Sequence, residues 1–317
     1  DGRIFGKRPR ITIFAVMNPH IRISLVVATY NRSAALVELL RSVAAQRLDP
    51  ALWECVVVDN RSTDDTAARF EAFSREHPDL PLRRIYEPKQ GLSHARNAGI
   101  AASRGEIVAI VDDDERINPD FLTAYVELFD SRPDAASAGG KVIPVYETGR
   151  PHWMSLYTEK PIANPTDWGG RVRPFPDGHI PAGGNMAFRR SALERCGLFN
   201  PDLGRIGDRL IGGEESDLFA RLRRAGKPCY YTPGAVIEHI IPARKLTRDY
   251  FDRLCYNIGV SQRIRADLDG RTGRLFLGEG MKWGAALLLA AGYLFMLRPA
   301  KARRLLGMRR QITRGIL

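Results

Sequence analysis

The sequence predicts a doubly wound α/β fold: a mostly parallel central sheet with helices on both faces, followed by a C-terminal helical segment. Three observations carry this. Short runs of β-branched and apolar residues recur, as strands buried on both faces of a parallel sheet do. Each is followed by a segment that reads as a helix, most with a cap residue at the start. The polar residues able to do chemistry fall where the runs end, and ligands of such sheets sit beyond the carboxyl ends of the strands.

IRISLVVATY (Ile21–Tyr30) is the first strand, and Asn31 ends it. Ser33 stands where it can cap the helix AALVELLRSVAAQ. WECVVVDN (Trp53–Asn60) is the second strand and STDDTAARFEAFSRE a capped helix. LRRIYEP is the third strand, SHARNAGIAASRG a helix ending at Gly105, and EIVAIVD the fourth strand. Alternation of this kind implies right-handed crossovers. Beyond about residue 140 the pattern loosens. The Pro-, Gly- and Trp-rich stretch from Ile143 to Asn185 reads as long loops at the sheet's edge. Order returns with NMAFRRSALERCGLF and the amphipathic GGEESDLFARLRRAG. YYTPGAVIEHI reads as a short strand pair and LTRDYFDRLCYNIGVSQRIRADL as a further helix.

At 317 residues, 44% apolar and 26% charged, the chain is globular rather than disordered. Its net charge of +12 is unevenly placed. Seven basic residues and no acid lie between Arg298 and Leu317, which leaves 41 basic against 36 acidic residues before them. Cys55, Cys196, Cys229 and Cys255 form no C-x-x-C pair, which argues against a zinc site or disulfide framework and for reduced thiols in a cytoplasmic setting. The chain starts at Asp1, and MNPHIRISLVV from Met17 would make a natural start, so residues 1–17 are read as a leader outside the fold. The expected organisation is a catalytic domain over 18–245, a helical extension over 246–280 and an apolar-plus-basic tail over 281–317. Trp283–Leu297 holds fifteen uncharged residues between Lys282 and Arg298, short of the roughly 20 that span a bilayer. It reads as an anchor lying in or on an anionic leaflet, with a core helix or oligomer contact as the alternative.

Four consecutive acids, Asp112, Asp113, Asp114 and Glu115, end the fourth strand. Capping the next helix explains one of them. Oxygen-only ligands select hard cations such as Mg²⁺ or Mn²⁺, which take one or two carboxylates and then phosphate oxygens. In extended geometry Asp112 and Asp114 point the same way, and Asp113 and Glu115 away. The mutual repulsion of the cluster is then expected to be relieved only by a metal and a diphosphate together. Asp59, at the second strand's end, can accept from a nucleobase or ribose, or simply shape a turn with Ser62. GLSHARNAGI brings Gly91, His94, Arg96 and Asn97 to a helix start suited to phosphate, unless Arg96 pairs inside with the acids. GGEESDLFARL sets Glu214, Glu215 and Asp217 at another helix start, as acids favoured by the dipole or as a base aimed at a hydroxyl.

Together VVATYNR, VVVDNRSTDDT, GLSHARNAGIAASRGEIVAIVDDDERINPDFL, GGNMAFRRSAL and GGEESDLFARL, in this order, resemble glycosyltransferase family 2 with the GT-A fold over roughly Ile21–His239. The resemblance implies inverting transfer from a nucleotide-diphosphate sugar donor, helped by Mg²⁺ or Mn²⁺, to a saccharide or lipid-linked saccharide acceptor. By position, Thr29, Tyr30, Asn31 and Asp59 would hold the nucleobase. Arg96 would lie by the nucleotide, with Asp112 and Asp113. Asp114 and Asp112 would hold metal, and His239 falls near a position that sometimes contacts metal or phosphate. Glu215, with Glu214 as rival, would be the base. Gly183, Gly184 and Asn185 would line the sugar and acceptor side. Asn60 stands where many members have a second Asp. The family and the anchor together suggest bacterial cell-envelope or exopolysaccharide synthesis, at the inner face of the cell membrane.

Three other functions are weighed. A sugar-1-phosphate nucleotidyltransferase would want a glycine- and basic-rich loop after the first strand, and VVATYNRSAA lacks it. A catalytically silent nucleotide-sugar-binding protein is opposed by the intact acids and Glu214–Glu215. Nucleic-acid binding is disfavoured, since the basic residues flank an apolar segment and lack interleaved stacking aromatics.

Overall fold

A computed structural model describes residues 20–207 and 210–317. The expectation for residues 1–17 lies outside the described residues. β1 (Ile23–Thr29) leads through α1 (Ser33–Ala44) to β2 (Trp53–Asp59), and then come α2 (Thr66–Glu76), β3 (Leu82–Tyr86), α3 (Leu92–Ala102) and β4 (Ile107–Asp112). A tight turn at Asp113–Asp114 starts the short β5 (Glu115–Ile117). α4 (Phe121–Ser131), β6 (Ser137–Tyr146), α5 (Leu156–Ala163), β7 (Arg173–Pro174), β8 (Met186–Arg189), α6 (Arg190–Cys196), α7 (Glu214–Arg224) and β9 (Cys229–Ile241) follow. The chain ends in α8 (Arg248–Leu268), α9 (Thr272–Phe295) and α10 (Pro299–Ile316).

Among the described residues the strands form one sheet in the order β3-β2-β1-β4-β8-β6-β9-β5, with β7 against β9. β3, β2, β1 and β4 are parallel, as the strand–helix alternation predicts. β8 runs antiparallel between β4 and β6, so the second half is mixed. Alternate side chains feed two cores. Leu25 and Val27 of β1 face Leu36 and Leu40 of α1, Phe70 of α2 and Phe121 and Tyr125 of α4. Val26 of β1, with Val56 and Val108, faces Ile100 of α3, Leu193 of α6 and Leu218 and Phe219 of α7. Each such side chain contributes ~1.5–3 kcal/mol by leaving water.

Three local readings are corrected. Ser33 is the first residue of α1 and not its cap; its N–H is met by Asp64 Oδ2 at 3.3 Å, from the loop before α2. The same Asp64, rather than the formal cap Asp65, accepts the Thr66 N–H at 3.0 Å. The stretch expected to be loops holds the end of β6 and the whole of α5. The latter has a Ser155–Thr158 capping box that the proline-rich context hid. β9 is one strand instead of a pair: Pro233, Gly234 and Ala235 bulge out of register opposite Gly140 and Lys141, and the ladder then resumes.

α5, α8, α9 and α10 share a third core around Phe251, Leu254, Leu305 and Ile312. α8 and α10 touch backbone to backbone at Gly259 and Gly315, where a Cβ would lie 2.0 Å from Ile312 O and from Tyr256 O respectively. The expected boundary at 280/281 therefore falls inside α9, and the basic tail is a packed helix. Arg309 pairs with the buried Glu279, and Arg304 lies over Trp153 and Phe251. Among the described residues no helix is long and apolar enough to cross a membrane.

Candidate active site

The chain leaves β1 toward β2 and β3 on one side and comes back as β4 on the other. That reversal opens a crevice at the carboxyl ends of β1 and β4, the place where open α/β sheets bind ligands. Ala28 lies opposite Asp112 in the ladder, and Thr29 Oγ1 donates to Asp113 Oδ2 at 2.8 Å. The crevice holds a cavity of about 240 Å³, lined among others by Thr29, Tyr30, Arg32, Gly91, Arg96, Asp112, Asp113, Asp114, Glu214 and Glu215. The extended geometry expected for the four acids stops at Asp112. Because Asp113 and Asp114 form a turn, all three aspartates line one cavity, and only Glu115 is buried away from it.

Three cations of the chain already answer the acids, so the expectation that only a bound metal and diphosphate relieve their repulsion does not hold. Arg32 Nη1 lies 2.8 Å from Asp113 Oδ1 and 3.0 Å from Asp114 Oδ2. Lys245 Nζ lies 2.6 Å from the same Asp114 oxygen. Arg96 Nη2 donates to Asp112 Oδ1 at 2.9 Å. Burial alone would raise the Asp114 carboxyl, but Lys245 and Arg32 outweigh it and hold the group well below the usual range. Asp113 is pushed up to about 6 by burial and by Asp114, against Arg32. Glu115, fully buried, is raised well above its ordinary value, first by burial and then by Asp112 and Asp114.

Arg96 is fully buried and ties the end of β4 to the start of α7. Besides Asp112, its Nη2 donates to Gly183 O at 3.1 Å. Its Nη1 donates to Glu215 Oε1 at 2.9 Å and to Glu214 Oε1 at 3.2 Å, and the guanidinium lies over the Phe199 ring. It is a strut beneath the cavity, the internal pairing that the sequence left open. Gly183 and Gly184 are needed for close approach: a Cβ on them would lie 2.1 Å from Glu215 Oε1 and from Glu115 Oε1. Burial and the neighbouring Glu215 push Glu214 up to about 8, against Arg96, so it is protonated at neutral pH. Its Oε2 has no hydrogen-bond partner among the described residues. Glu215 keeps a solvent-facing fraction at the cavity wall.

The remaining expected site residues lie around this centre. Asp59 accepts the Ser62 N–H at 2.9 Å and lies 3.4 Å from Arg84 Nη1, shaping a turn outside the cavity lining. Asn31 sits at φ 51° and accepts the Thr63 N–H at 2.7 Å. It lines a second cavity of about 470 Å³ that shares Arg32, Asp113 and Asp114 with the first. Asn185 is fully buried, accepting from Tyr125 Oη at 2.6 Å and donating to Lys141 O and Ala235 O, so it pins the sheet beneath the cavity. His239 faces Glu115 across the β5–β9 ladder, with Nδ1 3.2 Å from Ala163 O. Burial lowers its pKa, Asp114 opposing, and it does not line the cavity. Asn60 clamps the approach to α3: Nδ2 donates to Glu87 O and Lys89 O, and Oδ1 accepts the Gly91 N–H at 2.7 Å. Arg32 and Lys245 escaped the sequence reading. Arg32 stood inside VVATYNR beside the residues singled out, whereas no motif marks Lys245.

Residues 24–197, more than half of the chain, match the model of glycosyl transferase family 2. The chain belongs to glycosyltransferase family 2. The glucosyl-dolichyl phosphate glucuronosyltransferase of Haloferax volcanii is 24% identical over 256 residues, which cover 77% of each protein. The succinoglycan biosynthesis protein ExoM of Rhizobium meliloti is 29% identical over 232 residues, covering 72% of this chain and 70% of that one. Mannosyltransferase PcManGT from Pyrobaculum calidifontis, solved in complex with GDP-Man and Mn²⁺, superposes with a TM-score of 0.60 at 23% identity. That likeness covers 93% of this chain and 88% of the mannosyltransferase, and it is one of fold, the GT-A fold. The matched residues take in the parallel half-sheet and the acids at its switch point.

Proposed function

We propose that this glycosyltransferase transfers a sugar, with inversion, from a nucleoside-diphosphate donor to a hydroxyl of a saccharide or lipid-linked saccharide, in cell-envelope or exopolysaccharide synthesis. One observation carries the reading. A single cavity contains the strand-end aspartates and, across it, a carboxylate pair of which Glu214 is protonated and Glu215 keeps a solvent-facing fraction. Glu215 takes the proton of the acceptor hydroxyl, and its oxygen attacks the anomeric carbon on the face opposite the diphosphate. The diphosphate departs as an anion and needs no proton, so one base suffices. Arg96 holds Glu215 and Asp112 at a fixed separation, and protonated Glu214 leaves the base role to its neighbour.

The donor set suits a hard divalent ion. Asp112 Oδ2 and Asp114 Oδ1 take no hydrogen bond from the described residues, while their partner oxygens are engaged by Arg96 and by Arg32 with Lys245. Among the described residues no three His, Cys, Asp or Glu side chains converge as a metal cage. Two carboxylates completed by phosphate oxygens are the usual Mg²⁺ arrangement. When bound, Mg²⁺ or Mn²⁺ supplies Lewis-acid stabilisation of the leaving diphosphate, held by Asp112 and Asp114. A thermal-shift screen of nucleoside diphosphates with Mn²⁺ tests this: one base should stabilise selectively, and no response to any of them would overturn the reading.

The membrane face of the proposal rests on α9. Leu277, Met281, Leu288 and Phe295 recur on one side of the helix, each more than two-thirds exposed. Residues 271–317 hold ten basic residues and a single acid, Glu279, which is buried. An exposed apolar stripe with a basic surround and no exposed acid fits the inner surface of an anionic bilayer, lying in plane.

A further inference from the structure

We propose that Lys245 is the resident counter-cation of Asp114, and that a divalent ion arriving with the donor must displace it or bind against its charge. This rests on the reading of Asp112 and Asp114 as the metal and diphosphate site, and adds a residue that no motif marks. Lys245 lies 131 residues beyond Asp114, on the single turn Ala243–Leu246 between β9 and α8. Its side chain is 4% exposed, and among the described residues its ammonium has one hydrogen-bond acceptor, Asp114 Oδ2 at 2.6 Å. A lysine so enclosed has no solvent to fall back on, so the pair is held by mutual need. Arg32 touches the same oxygen but also reaches Asp113, so its charge is shared.

The consequence is competition. A divalent ion on Asp114 would sit within a few ångströms of the ammonium, where like charges repel strongly in a partly dry site. Metal without donor is therefore disfavoured, and the cation is admitted only when a diphosphate brings enough negative charge to offset Lys245. Lys245 thus sets the order of loading, and after displacement its ammonium is free to meet the diphosphate.

The test is Mn²⁺ affinity, read from the spin resonance of free Mn²⁺ with no substrate present, in the full-length protein and its variants. Lys245→Met should bind Mn²⁺ about tenfold more tightly than the wild type, a change equal to one unit-charge repulsion of modest size. Lys245→Arg should match the wild type, and adding Asp114→Asn to Lys245→Met should abolish the gain. Lys245→Gln, which can still donate to Asp114, covers the case in which the methionine variant does not fold and should show a smaller gain in the same direction. Equal or weaker Mn²⁺ binding by the neutral variants overturns the proposal while leaving the metal reading intact. No Mn²⁺ binding by any variant, even with a nucleoside diphosphate added, overturns both.

Discussion

Arg96 Nη1 lies 2.9 Å from Glu215 Oε1, while the other terminal nitrogen of the same buried guanidinium lies 2.9 Å from Asp112 Oδ1. The proposed base and the proposed leaving-group site are thus bolted to one rigid fork. Only an arginine offers two donors in fixed geometry. Arg96→Lys should leave at least one of these acids without its partner and destabilise the fold by about 3–5 kcal/mol. Chemical denaturation of the variant and wild type checks this, and a change below ~1 kcal/mol would show that the fork is not structural.

Glu214 gives a signed pH dependence. In the folded chain it keeps its proton to about 8, against an ordinary 4.5 when unfolded. Between these values the folded state binds more protons than the unfolded one, so this residue's contribution falls as pH rises through the window. Glu214→Gln removes that slope. Melting temperatures from pH 5 to 9 should decline less steeply in the variant than in the wild type.

Asn60 shows why an aspartate would fail at this position. Its amide donates to two carbonyls, Glu87 O and Lys89 O, at 3.1 and 2.8 Å. A carboxylate can donate to neither and would face both lone-pair sets. Asn60→Asp should therefore cost about 1–3 kcal/mol, measured by urea unfolding.

The apolar stripe of α9 is exposed, so replacing it should not disturb the core. Leu288→Glu with Phe295→Glu should keep the melting temperature and lose flotation with vesicles containing anionic lipid. Flotation unchanged by the pair would rule out this stripe as the proposed membrane contact.

Most of the parallel half of the fold was legible because β1, β2 and β4 are buried on both faces and so read as unbroken apolar runs, VVAT, CVVVD and IVAIVD. The antiparallel half was not. β6 carries Gly139, Gly140 and Pro144 and looks like a loop, and the bulge at Pro233–Ala235 splits one strand's signal in two. At the site, local motifs showed the acids and Glu214–Glu215, because neighbours in sequence share a strand end or a helix start. Their counter-cations were harder to see. Arg96 could be read as a phosphate ligand or an internal partner, and only its burial decides. Lys245 reaches Asp114 through folding alone. The alternation argument for Asp112 and Asp114 failed for a plain reason: it assumes an extended chain, and the chain turns.

The account stands on Glu215 as the base and Glu214 as its protonated neighbour. Its most direct test is the rate of nucleotide release from the cognate donor sugar by Glu215→Gln and Glu214→Gln, measured beside the wild type under saturating donor. The account predicts that Glu215→Gln falls by roughly 10²–10⁴-fold, while Glu214→Gln stays within about tenfold of the wild type, one such step being 1.4 kcal/mol of barrier. Full turnover by Glu215→Gln, or a deeper loss in Glu214→Gln, would contradict it.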